Sequence, residues 1–154
     1  MSTVRIPDNV LAQYAGRPLT SIPRGIRNNN PGNIRLGDNW QGLAAVQTDG
    51  SFCQFIDVEH GIRAMAVIIR NTYYRSRKRN TVALIISSWA PTNENDTAAY
   101  ISNVCKALGV GPDDIINLER DVTLATLIAA VIKHENGIMP YTTAQIVGGI
   151  RLAA

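Results

Sequence analysis

Glu135 is the residue with the clearest capacity for chemistry. It follows Val131 by four positions and Ile128 by seven, so it extends the apolar stripe of a helix. A carboxyl there is partly desolvated, as a general acid working near neutral pH requires. Gly137 and Pro140 stop the helix just beyond it, which would set the carboxyl at the lip of a groove. Glu59 is the alternative acid. It lies in Asp57-Val58-Glu59-His60-Gly61, where an acidic side chain also serves the first turn of a helix. Glu94 is a third candidate, beside Asn95 and Asp96, either of which can cap a helix. Glu119 falls in a polar linker and is expected to be solvated.

Other chemistries fit less well. His60 and His134 each adjoin a Glu, a spacing that matches no standard zinc pattern, so no metal and no cofactor is expected. A Cys–His dyad would need Cys53 to leave an apolar segment. Cys53 and Cys105 read instead as two reduced core thiols. The net charge of +3 favours an anionic partner without choosing one. The dense basic run Arg75-Ser76-Arg77-Lys78-Arg79 reads as a solvated helix end. With no reading motif beside it, no nucleic-acid partner is expected. No apolar run reaches the roughly 18 residues of a membrane span, so no integral membrane segment is expected. The N-terminus lacks a charged-then-apolar signal pattern, which predicts synthesis in the cytoplasm.

These candidates must be positioned by helices. The 154 residues suit one domain. Pro7, Gly16, Pro18 and Pro23 mark residues 1–23 as an arm or linker, leaving 24–154 as the domain. Residues 24–39 form a loop rich in Asn and Gly, with a turn at Pro31-Gly32. Trp40 to Phe55 is the one β region, a hairpin about Thr48-Asp49-Gly50. Helical spacing then joins Ile62, Met65, Ala66, Ile69 and Tyr73. It recurs in Val82, Ile85, Ile86 and Trp89, with Pro91 ending that helix. A third stripe holds Tyr100, Ile101, Val104, Cys105 and Leu108, ended by Gly109. A fourth, capped by Asp121 or Thr123, holds Leu124, Leu127, Ile128, Val131 and Ile132. Thr142 and Gln145 are spaced as the capping box of a last helix. The fold class is mainly α (α+β), a helical domain with one small hairpin.

The stretch Leu124 to Gly137, with Pro140-Tyr141 after it, resembles the catalytic helix of lysozyme-like cell-wall hydrolases, which ends in the catalytic Glu. Arg27-Asn28-Asn29-Asn30-Pro31-Gly32-Asn33-Ile34-Arg35 resembles the substrate-cleft segment of phage lysins, lytic transglycosylases and bacterial glucosaminidases. Trp40-Gln41-Gly42, the Phe52 to Phe55 segment and Gly61-Ile62-Arg63-Ala64 continue the likeness, which covers residues 24–150 loosely. In the usual order the catalytic Glu precedes the cleft segment. Here no Glu precedes residue 59. A circularly permuted lysozyme-like domain, its acid helix moved to the C-terminal end, reconciles the two.

The resemblance implies cleavage of peptidoglycan glycan strands, by a muramidase or a lytic transglycosylase route. A hydrolase wants a second carboxylate, and Asp38, Asp49 and Asp57 lie in or near the loop and hairpin. A transglycosylase needs Glu135 alone. Asn28, Asn29, Asn30 and Asn33 can offer amides to acetamido groups, or simply form turns. Tyr141 can contact substrate or acid, and Trp40 can stack on a sugar or join the core. Peptidoglycan is the expected partner of a monomer that acts on the periplasmic wall after release, or is carried there on a virion or secretion system. The alternative is a catalytically silent glycan-binding or structural virion protein.

Overall fold

The computed structural model describes residues 3–90 and 96–154. Glu94, Asn95 and Pro91, named above, lie outside them. Two short helices open the chain, α1 (Asp8–Gln13) and α2 (Arg24–Arg27), with a 3-10 turn over Leu19–Ser21 between them. Side-chain caps then set most of the helix starts. The Asp57 carboxylate accepts from the His60 N–H and starts α3 (Val58–Ala66). Thr81 accepts from the Leu84 N–H and starts α4 (Val82–Trp89). Asp96 accepts from the Ala99 N–H and starts α5 (Thr97–Leu108). The start of α6 (Asp121–Asn136) differs from expectation, because Arg120 takes the N-cap position without a side-chain bond. Asp121 sits in the first turn instead and pairs with buried Arg70 at 2.9 Å. Thr142 and Gln145 form the expected capping box of α7 (Thr143–Leu152).

The apolar stripes meet in one core. Ile62, Met65, Ile69, Ile85, Ile86, Tyr100, Leu124, Leu127, Ile128 and Val131 are all fully buried. Helix α3 packs on α7, and α5 packs on α6. Among the described residues no helix is long and apolar enough to cross a membrane. Cys53 and Cys105 are free and buried.

Beyond Ala66 the chain departs from a 3.6-residue repeat. Val67–Ser76 is a π-helix continuous with α3. Its i→i+5 register brings Ile68 and Tyr73, five apart, to one face. Arg70 turns inward toward Asp121, and Arg75 pairs with Glu119. Part of the basic run is therefore neutralised rather than simply solvated.

The β expectation is corrected. No sheet forms among the described residues, only single antiparallel bridges, Arg35 with Phe52 and Leu43 with Phe55. Side-chain amides take the backbone groups a ladder would use. Gln47 Nε2 donates to the Gln54 carbonyl at 2.8 Å, and the Gln54 N–H donates to Gln47 Oε1 at 2.8 Å. The turn at Asp49 is present and is held by its carboxylate. Oδ1 accepts from the backbone N–H of Ser51 and Phe52 and from Arg24, and Oδ2 accepts from Arg24 and Asn28.

Residues 3–23 are an arm docked on the body, not a free linker. Val10 and Ile22 enter the core, at 0% and 1% exposure. Asn9 exchanges hydrogen bonds with Gln145, and Gln13 donates to the Pro140 carbonyl. The Arg5 carbonyl accepts from Asn29. Val10→Ala should therefore lower unfolding stability by about 1–3 kcal/mol in urea denaturation. A free linker would give no change.

The Arg24 guanidinium holds the Asp49 carboxyl well below the usual carboxylate range, against the opposing effect of burial, with Asn28 and two backbone N–H groups adding. The native pKa is below the unfolded one. The stabilisation is thus complete above about 3.9 and is lost as pH falls through that value toward the native pKa. Asp49→Asn should lower the urea midpoint near neutral pH and flatten its decline below about pH 5. An acid profile identical to the wild type would show that the cluster contributes nothing.

Candidate active site

Glu135 occupies the last turn of α6 and is half-buried, with Val131 and Ile128 of its stripe fully buried. The helix ends at Gly137, whose φ of 77° is left-handed and suits glycine. Two side chains hold the carboxylate. Its Oε2 accepts from the Tyr100 hydroxyl at 2.8 Å, and its Oε1 accepts from Asn33 Nδ2 at 3.2 Å. Tyr100 is fully buried on α5, and its ring stacks on His134 with centroids 3.7 Å apart. Burial first, then the charge and hydrogen bond of Glu135, push the phenol far above its ordinary pKa, so it remains a donor.

Asn33 reaches Glu135 from the loop after α2. The Asn33 N–H donates to the Asn30 carbonyl at 3.0 Å, closing a turn over Pro31-Gly32. Asn33 has a φ of 50°, a left-handed conformation that asparagine tolerates. Asn136, the residue after Glu135, fastens this turn to the helix. Its Nδ2 donates to the Pro31 carbonyl at 2.8 Å and to the Ile132 carbonyl at 2.9 Å. Gly32 allows the close approach. A Cβ there would fall 2.9 Å from Met65 Cγ and 2.9 Å from Trp89 Cζ2.

The result is an open groove of about 390 Å³ with Glu135 and Asn33 in its wall. Trp89, Tyr73 and Phe52 supply aromatic surface, and Arg35 is the one cation among the lining residues. Tyr73 is fixed through its hydroxyl, which donates to the Ser88 carbonyl at 3.2 Å. Flat apolar rings, amide donors and one carboxyl can hold a polar ring-shaped ligand and give it a proton.

The expected site residues divide. Glu135 and Asn33 come together in this groove. Asn28, Asn29 and Asn30 do not, because their amides are consumed inside the fold. Asn28 bonds Asp49 and Gln54, Asn29 bonds the Arg5 and Phe55 carbonyls, and Asn30 bonds the Ile34 and Cys53 carbonyls. Trp40 packs against the small cluster of Cys53, Phe55 and Ala64, away from the groove wall. Tyr141 is buried, and burial followed by the nearby Glu59 charge raises its hydroxyl pKa. Glu59 faces α7, its Cγ 3.6 Å from where a Gly148 Cβ would stand. Neither Glu59 nor Tyr141 lines the groove.

The possible second acids also lie elsewhere. Asp49 holds its own turn, Asp57 caps α3, and Asp38 is exposed outside the lining. The two histidines are occupied by protein partners. His60 Nδ1 is 2.7 Å from Asp57 Oδ1, and His134 Nδ1 is 3.1 Å from Asn103 Nδ2. Among the described residues no three His, Cys, Asp or Glu side chains are grouped to hold a metal.

Tyr100, Asn136, Trp89 and Tyr73 were not expected in a site. Tyr100, Trp89 and Tyr73 fit apolar stripes, which concealed their second role. The one available signal was a phenol placed in a fully buried stripe, since a buried hydroxyl needs a partner.

Helical domain and groove define a mainly α protein whose described groove residues present one carboxylate among aromatic side chains. No family model matches the chain. Over 135 residues it is 40% identical to Protein P5 of Pseudoalteromonas phage PM2, spanning 85% of this chain and 82% of that protein. The chain belongs to the family of that bacteriophage protein.

Asn136→Ala should leave the Pro31 carbonyl without its donor and cost about 1–2 kcal/mol in urea denaturation. Amide hydrogen exchange over residues 30–35 should accelerate while the core amides keep their order of protection. Unchanged exchange in that loop would show that Asn136 does not hold it.

Proposed function

We propose that the protein cleaves the glycan strands of peptidoglycan, with Glu135 as general acid and base. On this reading the domain is lysozyme-like, with its acid helix moved to the C-terminal end of the chain. The observation that carries the proposal is the Glu135 carboxylate held between Tyr100 and Asn33 in the wall of an aromatic groove. Among the described residues Glu135 is the one acid in the lining, which favours the lytic transglycosylase route over a two-carboxylate hydrolase. Glu135 gives its proton to the glycosidic oxygen as the C1–O bond breaks. The resulting carboxylate then takes the proton of the sugar's own C6 hydroxyl, whose oxygen closes on C1 as an anhydro ring. Tyr100 and Asn33 keep the carboxyl aimed through both steps. Trp89 and Tyr73 offer faces for sugar rings.

A groove with one acid among its described lining residues also fits a different reading, a catalytically silent glycan-binding or structural virion protein. A turbidity assay on outer-membrane-permeabilised Gram-negative cells, followed by mass analysis of released muropeptides, separates them. Wild type should lyse the cells and release anhydro ends, and Glu135→Gln should slow lysis by about 100-fold or more. Lysis by Glu135→Gln at the wild-type rate would sink the assignment of the acid. No muropeptide release by wild type would favour the silent module.

A further inference from the structure

Arg35 stands apart among the cations around the groove. Two guanidiniums lie against the Phe52 ring, Arg24 at 4.7 Å and Arg35 at 4.9 Å from its centroid. Arg24 is spent on Asp49, with Nε donating at 2.8 Å and a terminal nitrogen at 2.5 Å. Arg35 has no such partner. Among the described residues its guanidinium makes no ion pair and no hydrogen bond, and the aromatic platform alone positions it. Phe52 and Arg35 both line the groove that holds Glu135. The backbone bridge between them fixes the base of each side chain.

An arginine stacked on a ring keeps its planar fork of N–H donors open at the edge. Such a fork pairs two-on-two with a carboxylate. Among the described residues no carboxylate fills it, and the one acid in the lining is Glu135, which is held by Tyr100 and Asn33. The groove thus has an acidic point for chemistry and a separate basic point for binding. We infer that Arg35 is a specificity-determining residue that binds a carboxylate of the ligand, selecting acidic peptide-bearing muramyl glycans over neutral N-acetylglucosamine chains. This inference rests on the proposed glycan groove and names which glycans it prefers.

The test measures binding by calorimetry to the Glu135→Gln protein, so that turnover does not intervene. The two probes are a disaccharide–tetrapeptide muropeptide and tetra-N-acetylchitotetraose. The muropeptide should bind more tightly, and adding Arg35→Gln should weaken it by about 5- to 10-fold, the range for a bidentate pair only partly shielded from water. Arg35→Gln should leave the neutral tetramer within about twofold, and Arg35→Lys should recover part of the loss because charge returns without the fork. Thermal melts of each variant check that the fold is retained. Equal weakening of both probes, or no weakening of the muropeptide, overturns the role of Arg35. Failure of the wild-type sequence, with Glu135 intact, to bind or cleave either probe overturns the glycan groove itself.

Discussion

The site depends on the docking of one turn on one helix end. Asn136 ties the Pro31 carbonyl to the last turn of α6, and Asn33 ties the same turn to the Glu135 carboxylate. Residues more than a hundred positions apart are thereby held within hydrogen-bond reach. The turn is in turn stiffened from below. Asn30 accepts from the Ile34 N–H and donates to two carbonyls, and Asn29 bridges the Arg5 and Phe55 carbonyls. A run of three asparagines acts as the internal scaffold of the loop, and the fourth, Asn33, is the one released toward the groove.

That arrangement explains which parts of the molecule were legible in the sequence. The helices from α3 to α7 followed from apolar spacing, and the starts of α5 and α7 from their caps, which are local properties. Glu135 was legible for the same reason, since a charged residue on an apolar stripe breaks a local pattern. Asn28, Asn29 and Asn30 were not, because an amide can face a ligand or a backbone carbonyl with equal chemical ease. Only the position of the arm and of residues 53–55 decides between them, and those contacts are non-local. The choice between arm and linker was not legible, because the prolines of residues 3–23 mark turns and say nothing about what Val10 and Ile22 pack against. The hairpin does not form because the Gln47 side chain takes both backbone groups of Gln54 and pre-empts a ladder there.

The π-helix is the clearest case of geometry that spacing rules conceal. Ile69 continues the α-helical stripe of Ile62, Met65 and Ala66, and all are fully buried. Tyr73 extends that series on paper, four residues after Ile69. In the wider helix it still packs against the core and also lines the groove together with Ile68. Arg70 is buried along its whole length and donates to Asp121 at the start of α6. The same widened turn therefore supplies an aromatic wall to the groove and anchors the helix that carries Glu135.

The charge distribution follows from the same constraint. Arg24, Arg70 and Arg75 are each matched by an acid of this chain, at Asp49, Asp121 and Glu119. Asp57 is used by the start of α3 and by His60. Those acids are committed to structure, which is why none of them stands beside Glu135. Among the described residues, what remains in the groove is one carboxyl held by neutral donors and one guanidinium held by a ring. Neutral donors hold the carboxyl in place without an ion pair. A ring holds the guanidinium without cancelling its charge. A groove built in this way keeps both charges available to a ligand, and it does so because the structural ion pairs were formed elsewhere.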